Sequence, residues 1–374
     1  MRVSGNIFFK APAGCSKPAF TAFDNPASAS PAVVASGLSG DVEPLPGLGS
    51  RAISRPGKMR GDFNMTVSAQ YAPVSDSHNR WLRLILAIFA TAILCACSAM
   101  KTGYQHGDRL AYWWIDHYVD VSDAQEPLTR DAIARFFAWH RQAQLPEIAG
   151  LLTQARNQVQ QPVSTAAIVQ IQEASQRLAR QSFDQAVPDV ADLLLTLTPA
   201  QIDRMEKKFD EGNIKYRKKF LSGSAEDRES ARFDKVMSYA KLIYGNFSNE
   251  QEQAIHAALA PLMQGAQARY AERLRRQEEW LALARRVQQT HPPKAQVVEL
   301  LRRFGDHWQF PPGQVRATSY QANNQAGVTL AATIANLTTP TQKAHAAERF
   351  QKWIDDTRSL MRERQGNTSQ AANK

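Results

Sequence analysis

Past residue 97 the sequence predicts an all-α fold, an antiparallel helical bundle or a set of stacked helical hairpins. Three observations predict it. Apolar residues recur at spacings of three and four, not two. One helix-start signal appears several times along the chain. The breaks between periodic stretches are short and polar, which favours antiparallel neighbours.

Residues 1–64 are rich in Ala, Ser, Pro and Gly and carry no sustained period, so they are expected to form a disordered extension. A translation start at Met65 or Met59 would leave this extension outside the protein altogether. Residues 65–96 read as a signal peptide, with Arg80 and Arg83 as the basic flank and an apolar run over 84–94. Leu94-Cys95-Ala96-Cys97 resembles the bacterial lipobox, which makes Cys97 the expected lipidation site and Ser98 the residue that governs sorting. The run is shorter than the roughly 20 residues of a comfortable bilayer span. A single-pass anchor over 81–100 and a buried core helix are the competing readings.

Residues 97–127 then hold the lipidated cysteine, a small polar tether and a first aromatic segment, and 128–364 form the helical domain. Its helices are expected at 129–145, 146–160, 164–186 and 189–197, so that one helix ends before Pro146 and another before Pro188. The clearest helix follows Thr198, where Ile202, Met205, Phe209, Asn213, Tyr216 and Phe220 fall on one face. Thr198 suits an N-cap, Pro199 the first helical position, and Gln201 the far side of a capping box. Further helices are expected at 225–244, 248–289 with an interruption at Pro261, 294–304, 317–337 and 340–364. Residues 365–374 read as a disordered tail.

The start signal has one form: apolar, Ser or Thr, two residues, Gln. It appears at Val121-Ser122 with Gln125, Leu197-Thr198 with Gln201, and Phe247-Ser248 with Gln251. Val163-Ser164 keeps the first half but has Ala167 in place of Gln, and Thr339 with Gln342 forms a box one residue out of step with Leu337-Thr338. The physical content is an apolar staple, a hydroxyl cap and a Gln reaching back.

Charge narrows the partners. Nine of the 45 Lys and Arg and five of the 35 acids precede Cys97, leaving 36 against 30, or +6, beyond it. The basic clusters Lys207-Lys208, 215–219, 273–276 and 285–286 lie in helical stretches that also carry acids, which reads as solvated helix faces and not a nucleic-acid surface. Anionic lipids or lipopolysaccharide phosphates are the expected partners of any surplus. Of three cysteines only Cys97 remains past the signal, so no disulfide and no thiol nucleophile is expected.

Trp139-His140-Arg141 is the most distinctive polar constellation. It reads either as a recognition site for an anionic group or as core aromatics with charged tips that cap a neighbouring helix. Tyr112-Trp113-Trp114 would line the same groove, touch the membrane surface, or join the core. Glu252 with His256 and His345 with Glu348 sit one turn apart, and surface pairing within the helix is their expected role. No catalytic residue, metal ligand or cofactor site is predicted, because nucleophile elbow, phosphate loop and HExxH motif are all missing from the sequence.

The apolar-Thr-x-x-Gln starts resemble the LTxxQ motif of Spy and CpxP, small helical periplasmic proteins linked to chaperoning and envelope stress. Over most of 97–374 the order of elements is similar to a family of uncharacterised proteobacterial lipoproteins whose shared domain has no assigned function. The residues that carry this likeness are Trp113-Trp114-Ile115 with Tyr118-Val119-Asp120, then 138–142 with Gln144-Leu145-Pro146, Asn213 with Tyr216, and Gly245 before 247–251. The sequence departs from the pattern at Val121-Ser122, at Ala167 and in its long N-terminal extension.

The expected protein is therefore a lipid-anchored, periplasm-facing envelope protein that binds or scaffolds other envelope components without catalysis. Its expected partners are the membrane, through the N-terminal lipid, and envelope proteins or anionic lipids. Ser98, where Asp would retain a lipoprotein at the inner membrane, points to the outer membrane. The alternative is a chaperone-like binder of unfolded periplasmic polypeptides, which an exposed apolar groove rimmed by 207–219 would favour. Third comes a helical enzyme acting on cell-wall or lipid substrates, which an enclosed polar pocket would favour.

Overall fold

The computed structural model describes residues 99–309 and 311–372, and the signal segment, Cys97 and Ser98 lie outside them. The chain divides into two compact units, and the described residues from Met100 onward all belong to one. That unit is an all-α bundle, with no strand among the described residues.

Helix α1 (Ala99–Gln105) leads into α2 (Gly107–Val119), which ends at Asp120 in the left-handed region, φ 60°. Helix α3 (Glu126–Trp139), a five-residue π-helical turn (His140–Gln144) and α4 (Leu145–Gln158) follow as one rod. The expected break at Pro146 is thus corrected to a widened turn. Proline has no N–H to donate and its ring crowds the carbonyl four residues back, and one wider turn relieves both.

Helix α5 (Thr165–Thr196) also corrects the sequence reading, because it runs 32 residues straight through Pro188. An interior proline costs about 3 kcal/mol. Val187, Ala191 and Leu194 around it are buried, and side chains of this kind return roughly 1.5–3 kcal/mol each for the larger ones. Burial outweighs the break.

The remaining helices are α6 (Pro199–Phe220), α7 (Ala225–Tyr244), α8 (Asn249–Ala257), α9 (Ala260–Gln264), α10 (Ala266–Thr290), α11 (Lys294–Gln309), α12 (Gln314–Leu337) and α13 (Pro340–Ala372). The expected interruption near Pro261 is present as the short α9 between α8 and α10. Gly265 forms that corner, and a Cβ there would stand 1.7 Å from the Asn323 side-chain oxygen.

Two cores are strung along α5. The first gathers Ile148 and Leu152 of α4, Ile171 and Leu178 of α5, Val236 of α7, Ile255 of α8, Leu330 of α12 and Ile354 of α13. The second gathers Val187, Ala191 and Leu194 of α5 with Ile202 and Met205 of α6, Leu281, Ala284 and Val287 of α10, and Val297 and Leu301 of α11. Between them the middle of α5 is polar. Gln144 of the π turn is buried there, donating to the Leu178 carbonyl at 2.7 Å and accepting from the Ser182 hydroxyl at 2.6 Å.

The repeated start signal has a second role that sequence reading missed. Gln125 and Gln201 accept from the backbone N–H three residues back, of Ser122 and Thr198, each at 3.0 Å; Thr198 is the N-cap of α6, whereas Ser122 opens the turn that leads into α3. Each then donates across to the other amide, at 3.3 and 2.7 Å, and to a carbonyl two residues before the other's Ser or Thr: Gln125 to Thr196 and Gln201 to Asp120, both at 3.0 Å. Gln251 and Gln342 repeat the pattern. They accept from the Ser248 and Thr339 N–H groups at 2.9 and 2.8 Å, join each other at 2.8 and 3.1 Å, and reach the Leu337 and Asn246 carbonyls at 2.7 and 2.6 Å. The offset of two residues is identical in all four cases. At the start without glutamine, Asn336 takes over, bonding both the N–H (2.9 Å) and carbonyl (2.8 Å) of Val163.

Candidate functional site

Trp139, His140 and Arg141 come together at the entrance to the π turn, around Tyr104 of α1. The His140 ring lies among Tyr104, Phe136 and Trp139, with centroids 5.6, 5.7 and 6.3 Å away, and its Nδ1 is 2.9 Å from the Tyr104 hydroxyl. Burial, and then the Arg141 charge, hold the His140 pKa at about 4. Burial drives the Tyr104 phenol far up, against Arg141. Both groups are therefore neutral at pH 7. The imidazole supplies neither positive charge for an anion nor an effective general base. Arg141 stands 5.5 Å over the Tyr104 ring. The constellation is brought together, but as a half-buried aromatic packet between α1 and α3.

Tyr112, Trp113 and Trp114 part company. Tyr112 lies 3.8 Å beneath the Arg130 guanidinium, Trp114 rests 4.7 Å from Tyr118, and Trp113 is 60% exposed. Glu252 and His256 do not pair with each other as expected. Glu252 takes Lys241 at 2.7 Å, and His256 faces Glu229 at 3.6 Å, so both tie α8 to α7. Cross-helix partners outcompete the exposed pairing within one turn.

A second polar centre was hidden within the basic cluster 273–276, whose reading as a solvated face is corrected at Arg276 and Arg273. Arg276 donates to Glu272 Oε1 at 3.1 Å and to the Trp308 carbonyl at 3.2 Å, and stands 4.5 Å over the Trp308 ring. Burial lowers its pKa despite Glu272. Arg316 forks onto both Glu272 oxygens at 2.8 and 3.0 Å and reaches Glu279 at 2.9 Å, while Arg275 adds a bond of 3.0 Å. Burial pulls the Glu272 carboxyl upward, but the arginines prevail and hold it below its ordinary value. Each Glu272 oxygen accepts two N–H groups, so no lone pair is left for a substrate. This is a clamp that fastens α12 to α10. Arg273 meanwhile donates to Asn213 Oδ1 at 2.8 Å. A run of arginines with glutamate one turn away was the available signal, but it cannot report which cation turns inward.

The first core contains a half-open apolar slot of about 80 Å³ between α4, α5, α7 and α12. Val159, Ile168, Val236, Ala240, Ile243 and Ile334 line it, and polar side chains enter only as Gln158, Tyr239 and Tyr244. About 10–15 Å³ on this scale holds one water, so there is room for an aliphatic side chain. Water in the slot would find few partners, and an apolar occupant gains by displacing it. The apolar stripe of α6 is no such groove. Ile202, Met205, Tyr216 and Phe220 are buried and Phe209 is half-buried, so the lysines of 207–219 rim no opening along it.

Comparison with known proteins gives one match. The model of a family of unknown function (DUF6279) matches residues 117–310, which takes in the Gln125–Gln201 pair and ends before Gln342. No curated protein and no solved structure matches the chain.

Proposed function

As the chain belongs to the DUF6279 family of unknown function, we propose that it is a lipid-anchored protein of the outer membrane that faces the periplasm and holds an apolar group of another envelope component without transforming it. The observation that carries this reading is the slot in the first core. It is apolar, half-open and shaped for a small aliphatic group, and no acid, base or nucleophile pair converges on it. Of the two polar centres, the Glu272 oxygens are fully engaged by Arg275, Arg276 and Arg316, and the His140 imidazole is neutral and bonded to Tyr104. The anchor rests on sequence: the basic flank, the short apolar run and the Leu94-Cys95-Ala96-Cys97 order, with Ser98 behind the outer-membrane destination.

Two measurements test the reading in parts. Labelling with a fatty-acid probe should be lost in Cys97→Ser and survive in Cys95→Ser, and equal labelling of both variants removes the anchor. A pull-down from membranes with the wild-type protein should recover envelope components that an Ala240→Leu variant, its slot filled, does not. Identical recovery by both would remove the slot as the binding site. A chaperone-like role, in which the slot takes side chains of many unfolded polypeptides, predicts instead a broad capture and suppression of aggregation by the same residues.

A further inference from the structure

We propose that the face shared by α2 and α6, built from Trp113, His117, Lys207, Ile214, Lys215 and Lys218, is a docking surface for anionic phospholipid headgroups. Four large apolar side chains are exposed among the described residues, Trp113, Ile214, Leu242 and Val315, and two of them fall here. Trp113 stacks on His117 at 5.8 Å and 21°, which holds the indole outward instead of letting it fold onto the bundle. Helix α2 lies against α6 through Tyr118 and Phe209, whose rings are 5.7 Å apart. Beside His117 run Arg204, Lys208, Glu211 and Lys215, spaced four, three and four apart on one stripe of α6. Burial lowers the His117 pKa, and the charges of Lys208, Arg204 and Lys215 lower it further against Glu211.

Helix α6 carries seven Lys and Arg against four Asp and Glu. Lys208 is taken by Glu211 at 3.1 Å and Arg204 by Asp120 at 3.4 Å. Lys207, Lys215 and Lys218 are exposed and make no ion pair among the described residues. Exposed cations alone would suit any polyanion. An outward Trp and Ile interleaved with lysine stems suit a bilayer surface, where indoles sit at headgroup depth and ammonium groups snorkel to phosphate. The proposal rests on the lipid-anchored reading, which sets the start of α2 ten residues from Cys97 and so within reach of the bilayer.

The test uses the full chain in vesicles with brominated acyl chains, made either of phosphatidylglycerol with phosphatidylethanolamine or of phosphatidylcholine alone. Quenching present in the wild type and missing in Trp113→Phe belongs to Trp113. It should appear in the anionic vesicles, be at most a small fraction of that in neutral ones, and fade at about 1 M salt, where the screening length is near 3 Å. Lys215→Gln with Lys218→Gln, both at exposed positions, should lower it severalfold with helical content unchanged. Equal quenching in both vesicle types, no Trp113 quenching in either, or persistence in the double variant would overturn the proposal. Failure of the anchor reading is seen separately, as wild-type protein that takes up no fatty-acid probe.

Discussion

The first core, gathered around the N-terminal half of α5, keeps a half-open apolar slot, whereas the second, around the C-terminal half, packs residues with almost no exposure, such as Ile202, Val297 and Leu301, and is stitched at its margin by ion pairs such as Arg285–Glu206 and Lys294–Asp192. Both carry the same fastening: two helix starts whose glutamines bond each other and the chain two residues before the other's Ser or Thr. A device repeated with the same offsets in two dissimilar cores is best understood as structural. What differs between the cores is where binding is to be sought.

The largest effect expected is in the second core. Ile202→Ala removes a side chain with almost no exposure and should cost about 2–5 kcal/mol, while Phe209→Ala, half-buried, should cost clearly less. Denaturant melts decide it, and equal losses would mean that the second core is not centred on Ile202 as described. Next come the fastenings. Gln201→Ala and Gln342→Ala each strip buried carbonyl and amide partners and should cost on the order of 2–3 kcal/mol, nearly alike. Thr198→Ala, which loses a cap alone, should cost about 1 kcal/mol. A Gln342→Ala protein as stable as the wild type would break the equivalence of the two fastenings.

A pH dependence sharpens the contrast between packet and fastening. His140 is held at about 4 in the folded chain against 6.5 when free, so the unfolded chain binds the extra proton first as pH falls. Its contribution is complete above about pH 6.5, declines from there to about pH 4, and changes no further below. Stability measured across that window should fall less steeply in His140→Phe. The glutamine pairs have no proton to exchange, and Gln201→Ala should leave the slope unchanged.

Much of this architecture is legible in the sequence, for identifiable reasons. Thr198, Pro199 and Gln201 fix a helix start locally, and the stripe from Ile202 to Phe220 fixes which face turns inward. Pro146 and Pro188 mislead because each break is decided by distant packing: a π turn absorbs one, and the burial of Val187 and Ala191 overrides the other. The pairing of Gln125 with Gln201 joins residues 76 positions apart, and no local pattern announces it. Trp139, His140 and Arg141 are conspicuous by type, yet their surroundings depend on Tyr104 of another helix. The slot is less visible still, since its lining is ordinary aliphatic core residues from separate helices and only their imperfect closure distinguishes it.

The central claim is that the slot binds and the glutamine pairs fasten. Binding of an apolar fluorescent probe, measured beside thermal stability on wild type, Ala240→Leu and Gln201→Ala, tests it most directly. Ala240→Leu should lose probe binding while its melting temperature holds or rises, and Gln201→Ala should melt earlier while still binding the probe. Undiminished binding by Ala240→Leu, or loss of binding in Gln201→Ala below its melting transition, would contradict it.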